Sequence, residues 1–391
     1  MPNTIPSELI NDFFVTMEKI AQERVGFIGS CGRDASLDRV AANSTIRSIV
    51  APPSTASDIT PGLYAPDEGD QTFTSRSFTI SKQRSVPFRW NGTQTYTMNQ
   101  AGPGLLNAKQ QQIAQAIRTL RNEQEVDLGV AGALAASRAF GTATTNPFAT
   151  TLGDLVDVRQ ILFDNACPMS DPQLVINSSA ESALLKLTQL TNVNQSGDSE
   201  ALRFGRLTEL FGVKISASSN VARPTSGTMT GGKTHDAGYA IGATVLAFQN
   251  ATGTGVMTAG DVFTIAGDTN KYIVASATFA GANPATGDSI TIAAPGLLKA
   301  VPAANTAITV VAISARNLIF ERNALVLGTR LPDLPEEGDA ATRRETLVDP
   351  FTGIAYEFAL YPQYRQNQWR VGCAWGVGSF KPNFMAVLLG A

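Results

Sequence analysis

The stretch from Leu105 to Phe140 constrains this chain most. It reads LLNAKQQQIAQAIRTLRNEQEVDLGVAGALAASRAF, without proline and dense in Ala, Leu, Gln, Glu and Arg, the strong helix formers. Leu106, Ile113, Ile117, Leu120, Val126, Leu128, Val130 and Leu134 recur at helical spacing. An unbroken helix here would reach roughly 54 Å at about 1.5 Å per residue, several times the usual length of about 11–12 residues. Gly129 and Gly132 mark the expected bend, because glycine weakens a helix interior. Two readings follow: one long spine against which other segments pack, or a helical hairpin turning near Gly129.

A chain of 391 residues holds two or more lobes, and 43% hydrophobic residues suffice for sizeable cores. No apolar run reaches the 18 residues of a membrane-spanning helix. The opening MPNTIPSELINDFF lacks the basic and apolar regions of a secretory signal. Cys31, Cys167 and Cys373 are odd in number and far apart, which argues for buried free thiols in a reducing compartment. Net charge −3 and pI about 5.4 give no global basic footprint for nucleic acid. A single histidine, His235, would have to serve any triad, and a His-rich metal site is impossible. The composition points away from catalysis; no cofactor and no metal site is expected.

Residues 7–23 read as an amphipathic helix capped by Ser7, with Leu9, Phe13, Phe14, Met17 and Ile20 on its apolar face. Residues 26–64 are rich in Ser, Pro and Thr and read as an irregular arm. Alternation through Phe78, Ile80, Lys82, Arg84, Val86, Phe88 and Trp90 reads as a strand. The Asn91-Gly92 pair, a hairpin signal, then predicts Thr93 to Met98 as its partner. Beyond the spine, Thr151 to Asn165 reads as a helix, and Gln173 to Asn177 and Leu210 to Ser216 as strands. Ser178 and Glu181 fit a capping box. This is an α/β lobe.

Composition changes near Arg223: glutamate is absent between Glu209 and Glu321. Short β runs at 243–248, 262–266, 272–279, 289–293 and 308–313 suggest a small barrel or sandwich. It interrupts the lobe, whose pattern returns over Asn317 to Leu327. Asp333, Glu336, Glu337 and Asp339 read as a solvated acidic loop without EF-hand spacing. Two alternating strands follow, through Tyr356 and Phe358 and through Trp369 and Trp375; these aromatics read as core. A short apolar piece closes the chain at Phe384 to Leu389.

Gly227 to Thr234 fits GxxxxGK[ST], with Lys233 and Thr234 at the phosphate-binding positions. That chemistry needs a strand before the loop and a helix after it. Here Arg223-Pro224 precedes and a strand pattern follows, so a glycine-rich linker is the better reading. His235 reads as an exposed loop residue.

The order of parts resembles the major capsid proteins of tailed phages with the HK97-type fold, and within them the P22-type coat proteins, which carry an inserted β-barrel in this place. Ser85-Val-Pro-Phe-Arg-Trp90, Thr258-Ala-Gly-Asp-Val-Phe-Thr-Ile-Ala-Gly267 and Lys381-Pro-Asn-Phe384 carry the likeness. The resemblance implies an α+β fold. Its parts would be an N-terminal arm (1–64), an E-loop hairpin (65–104), a P-domain spine helix (105–142), an A-domain (143–222 and 316–345) split by a β-barrel (223–315), and closing strands (346–391). It further implies a coat protein assembling as hexamers and pentamers into an icosahedral shell around double-stranded DNA. Scaffolding and portal proteins would be partners, the place the virion, and the site of assembly the host bacterial cytoplasm. An encapsulin-like compartment shell is the alternative, and a P-loop enzyme a remoter one. Subunit contacts are expected at the hairpin's Arg76, Lys82, Arg84, Arg89 and Trp90, and at the spine's Glu123, Glu125 and Asp127. The hairpin cations are expected to meet the spine acids of a neighbouring subunit.

Overall fold

The computed structural model describes residues 23–51, 54, 56–59, 61–64, 69–100, 104–192, 209–248, 253–349 and 351–391. The amphipathic stretch expected at 7–23 lies outside the described residues up to position 22. The chain opens with α1 (Phe27–Ser30), β1 (Gly32–Val40), β2 (Thr45–Val50), β3 (Thr74–Thr79) and β4 (Lys82–Asn91). Then come α2 (Gly92–Gln100), the spine α3 (Gly104–Ala135) and β5 (Arg138–Phe140). The lobe adds α4 (Gly153–Asp164), β6 (Pro172–Ile176), α5 (Ser178–Leu185), α6 (Thr188–Thr191), β7 (Glu209–Leu210) and β8 (Val213–Ala217). The inserted unit holds β9 (Val245–Ala247), β10 (Val262–Ile265), β11 (Lys271–Thr278), β12 (Ser289–Ile292) and β13 (Ile308–Val310). The remainder is β14 (Ala315–Glu321), β15 (Leu325–Pro332), β16 (Arg343–Val348), β17 (Ala355–Gln363), β18 (Gln366–Ser379) and β19 (Met385–Gly390). The fold is mixed α+β.

The spine is one helix of 32 residues, not a helical hairpin. Ala116, Leu120, Gln124 and Leu128 are buried at i, i+4 spacing and face β4 and β18. Burying such a leucine contributes about 1.5–3 kcal/mol, so packing rather than propensity holds the helix. At the expected bend the helix continues through both glycines. Gly129 lies under the Phe27 ring and beside the Asn220 carbonyl, and a Cβ on Gly132 would collide with Leu318. Close approach accounts for them.

A six-stranded sheet runs β1-β15-β18-β17-β16, with β4 on β18. A larger one runs β13-β10-β11-β5-β19-β14-β6-β8-β7, with β12 on β11 and β9 on β12. The Phe211-Gly212 turn between β7 and β8 has positive φ at both residues, as a two-residue hairpin demands.

Three expectations are corrected. The arm is not irregular: β1 pairs in parallel with β15, and β2 pairs antiparallel with β3. Asn91-Gly92 is not a hairpin turn. Asn91 Oδ1 accepts the Gln94 amide at 2.8 Å while Gln94 Oε1 accepts the Asn91 amide at 3.1 Å, a reciprocal cap that opens α2. Thr93 to Met98 is therefore helical, and the two-stranded excursion is β2–β3, one step earlier in the chain. Ser178 is not the cap of α5; Asn177 is, accepting the Ala180 amide at 2.9 Å.

All five strands foreseen in the insertion form, around a separate core that includes Leu246, Phe248, Phe263, Tyr272 and Ile290. Its sheet is nevertheless continuous with the lobe, because β11 pairs with β5 at Lys271↔Ala139 and Tyr272↔Arg138.

Candidate functional site

The candidate surface is the β2–β3 excursion and the spine face beside its root. The root is fixed by shape. Phe78 is buried, packs over Gly328 and Gly378, and meets Phe380 edge-on at 5.7 Å between centroids. A Cβ on Gly376 would collide with the Thr79 carbonyl. These glycines allow a strand to lie directly on the sheet. Beyond the root the excursion is uncovered: Ile49 is 77% exposed, Ile59 98%, Leu63 91% and Tyr64 84%. A lone two-stranded ribbon is marginal in water, and apolar side chains left in water gain free energy when covered.

Several residues expected at subunit contacts have partners within the chain. Lys82 and Arg84 sit on β4, in the sheet. Lys82 Nζ pairs with Asp127 Oδ1 at 2.7 Å, and Asp127 Oδ2 accepts the Trp375 indole N–H at 2.8 Å. Arg84 Nε lies 3.7 Å from Glu123 Oε2. These cations thus meet the spine acids of their own chain, because β4 packs directly on α3. Trp90 is buried in a ring cluster, 5.2 Å from Trp369 and 6.0 Å from Phe88. Glu125 is fully buried and accepts the amides of Gly26, Phe27 and Ile28 at 2.6–2.9 Å and the Ser218 hydroxyl at 2.7 Å. It caps α1 within the chain. Arg89 is exposed on β4 opposite Gln368. Arg76 alone of this set lies on the excursion, exposed opposite Ser48, with no ion pair among the described residues.

An open groove of about 480 Å³ along the spine is lined by Lys82, Arg84 and Arg118 together with Glu23 and Glu123. Arg118 Nε donates to Glu23 Oε2 at 2.7 Å. This guanidinium holds the Glu23 carboxyl down at about 2. The exposed apolar side chains of the excursion and its glycine seat were missed in sequence. The alternating Gly376 and Gly378 on one strand were the available signal.

The other candidates dissolve. Within the P-loop-like stretch, the Gly227 amide donates to Asp261 Oδ1 at 2.8 Å and Thr230 bridges Thr254. No helix opens from it among the described residues that follow. His235 is half-exposed, its Nδ1 accepting the Ala237 amide. No group of three metal-ligating side chains gathers among the described residues. Tyr356, Phe358, Trp369 and Trp375 are core. The three cysteines are buried and free; burial pushes Cys31 and Cys373 up to about 12 and Cys167 to about 11. Among the described residues no helix is long and apolar enough to cross a membrane.

Neither a family model nor a curated protein matches the sequence. Among solved structures, one from Mycobacterium phage Che8 matches over 99% of this chain and 98% of its own, at 13% identity and a TM-score of 0.50. The capsid structure of cyanophage P-SCSP1u matches over 100% and 93%, at 11% identity and 0.49. The asymmetric unit of the bacteriophage PhiM1 mature capsid matches over 95% and 89%, at 12% identity and 0.48. The first likeness, across both whole chains, is one of fold.

Proposed function

We propose that this chain is the major capsid protein of a tailed phage, a non-enzymatic subunit that self-assembles as hexamers and pentamers into an icosahedral head around double-stranded DNA. The excursion carries this reading. Its root is clamped while its distal apolar side chains stay in water, so a second copy is needed to cover them. The full-length likeness in fold to a phage structure supports the same reading, as do inert buried thiols and a lone loop histidine. The inserted unit, with its own core, corresponds to the extra barrel of P22-type coats within the HK97-type fold. Scaffolding and portal proteins are its expected assembly partners, and the virion its final place.

Contact between copies is assigned to the excursion, whose Arg47 and Arg76 are exposed without an ion pair among the described residues. Spine acids engaged within the chain are replaced in this role by apolar burial. Electron microscopy of the expressed protein tests the reading. Closed shells are expected from the wild type, and folded, unassembled subunits from Ile59→Asp with Leu63→Asp. A small discrete oligomer in both preparations would end it.

A further inference from the structure

The excursion has two unlike faces, set by strand alternation. Ile46 and Phe78, opposite each other across the ribbon, both pack onto the sheet at Gly328. Ser48 and Arg76 share that face. The other face holds Arg47 and Ile49, opposite Ser77 and Ser75. Arg47 is exposed without an ion pair among the described residues, and Ile49 is 77% exposed. The outward face is thus a cation beside an aliphatic side chain. A matching surface lies on the six-stranded sheet. Pro335 to Gly338 is a tight turn, closed by the Gly338 amide on the Pro335 carbonyl at 2.9 Å. Its central residues, Glu336 and Glu337, are the one adjacent pair of acids among the described residues, and both are exposed without an ion pair there. The turn is pinned to the sheet through Asp339, which accepts the Tyr361 hydroxyl at 2.7 Å and the Ala341 amide at 2.9 Å and pairs with Arg344. A trough of about 340 Å³ is lined by Pro332, Leu334 and Pro335 of the same segment together with Ala359 and Gly372 of the sheet. Charges that also line it are engaged within the chain: Glu357 by Arg39 and Arg344, Arg84 by Glu123, and Arg370 over the Tyr361 ring at 5.9 Å.

We propose that this acidic turn and its trough receive the outward face of a second copy's excursion, with Arg47 against Glu336 and Glu337 and Ile49 in the trough. The surfaces match in chemistry and in spacing. A strand sets Arg47 and Ile49 roughly 6–7 Å apart on one face. Pro335 belongs to both the turn and the trough, so the acidic and apolar seats adjoin as well. A planar guanidinium offers its donors to two carboxylates at once. The charges fix register and orientation, while covering Ile49 supplies the driving force. A turn already closed and pinned loses little freedom when it is met. Because the two patches differ, the contact runs head to tail, the geometry that closes into rings. The proposal rests on the reading of the excursion as the contact between copies, and it names the face and the receiver. Arg76, on the sheetward face, has no part in it.

Sedimentation velocity of the full chain reads the contact and electron microscopy reads the shell, so the two can fail separately. Arg47→Glu should raise the concentration needed for association about tenfold, since like charges then face each other. Glu336→Arg with Glu337→Arg should do the same. All three substitutions in one chain should return association to within about threefold of the wild type, as a coupled pair requires. Arg76→Glu should leave association unchanged. These positions are exposed, and circular dichroism checks that each variant is folded. Association of Arg47→Glu at the wild-type concentration, an equal loss from Arg76→Glu, or no recovery in the triple variant would overturn the proposal, while closed wild-type shells would leave the capsid reading standing. A wild type that stays monomeric at every concentration would end both.

Discussion

Glu125 shows what one side chain can do when the chain folds back on it. Its carboxylate gathers three amides and a hydroxyl in a fully buried setting, and charge-assisted bonds are the strong ones. Glu125→Gln puts an amide NH₂ against the Ile28 donor. It should lower unfolding free energy by about 2–3 kcal/mol in urea titration, with a folded structure retained. Glu23 adds a pH dependence. Its carboxyl falls from 4.5 to about 2 on folding, chiefly through the Arg118 hydrogen bond. A depressed carboxylate stabilises above its unfolded value and loses that contribution as protons bind the native state. The wild type should therefore lose stability between pH 4.5 and about 2 more steeply than Glu23→Gln, measured by thermal midpoint against pH. Neither role was legible in sequence. Glu125 reads as one acid among Glu123, Glu125 and Asp127, and its donors come from a segment nearly a hundred residues away. The burial of the cysteines was legible, because their spacing and number carried it.

Among elements, the spine was foreseen because its pattern is long, regular and free of proline. By local rules its glycines mark a bend; in the structure Phe27, Asn220 and Leu318 fill the space where their side chains would be. Gly132→Ala should cost about 1–3 kcal/mol from overpacking. Gly29→Ala, in α1 with open space around it, should be neutral or stabilise by about 0.5–1 kcal/mol. Differential scanning calorimetry of the pair separates close packing from chain flexibility. The misplaced hairpin has a similar origin. Asn91-Gly92 satisfies the local rule for a turn, yet Gln94 supplies the second half of a helix cap, and the Gly92 amide is held by the Arg365 carbonyl at 3.1 Å. The true excursion was hidden because β2 and β3 are separated by a long connection rich in Pro, Ser and Thr and alternate only weakly. Strands of the insertion were readable, being short, regular and divided by glycine turns.

At the scale of the molecule, the described residues form three cores: one under the spine, one in the lobe and one in the inserted unit. The third is formed wholly by residues between Met229 and Val310. Residues 223–315 made alone should give a dispersed, β-rich NMR spectrum; a collapsed spectrum would mean that β5 is indispensable to them. The second core depends on the far end of the chain. β19 lies between β5 and β14, parallel to one and antiparallel to the other, with all six residues buried. Chain order thereby becomes time order. At about 5–20 residues per second of synthesis, β5 waits tens of seconds for the strand that completes its sheet. A growing polypeptide cannot present a finished lobe until residue 390 has emerged, so nascent chains crowded on one message have nothing complete to offer one another.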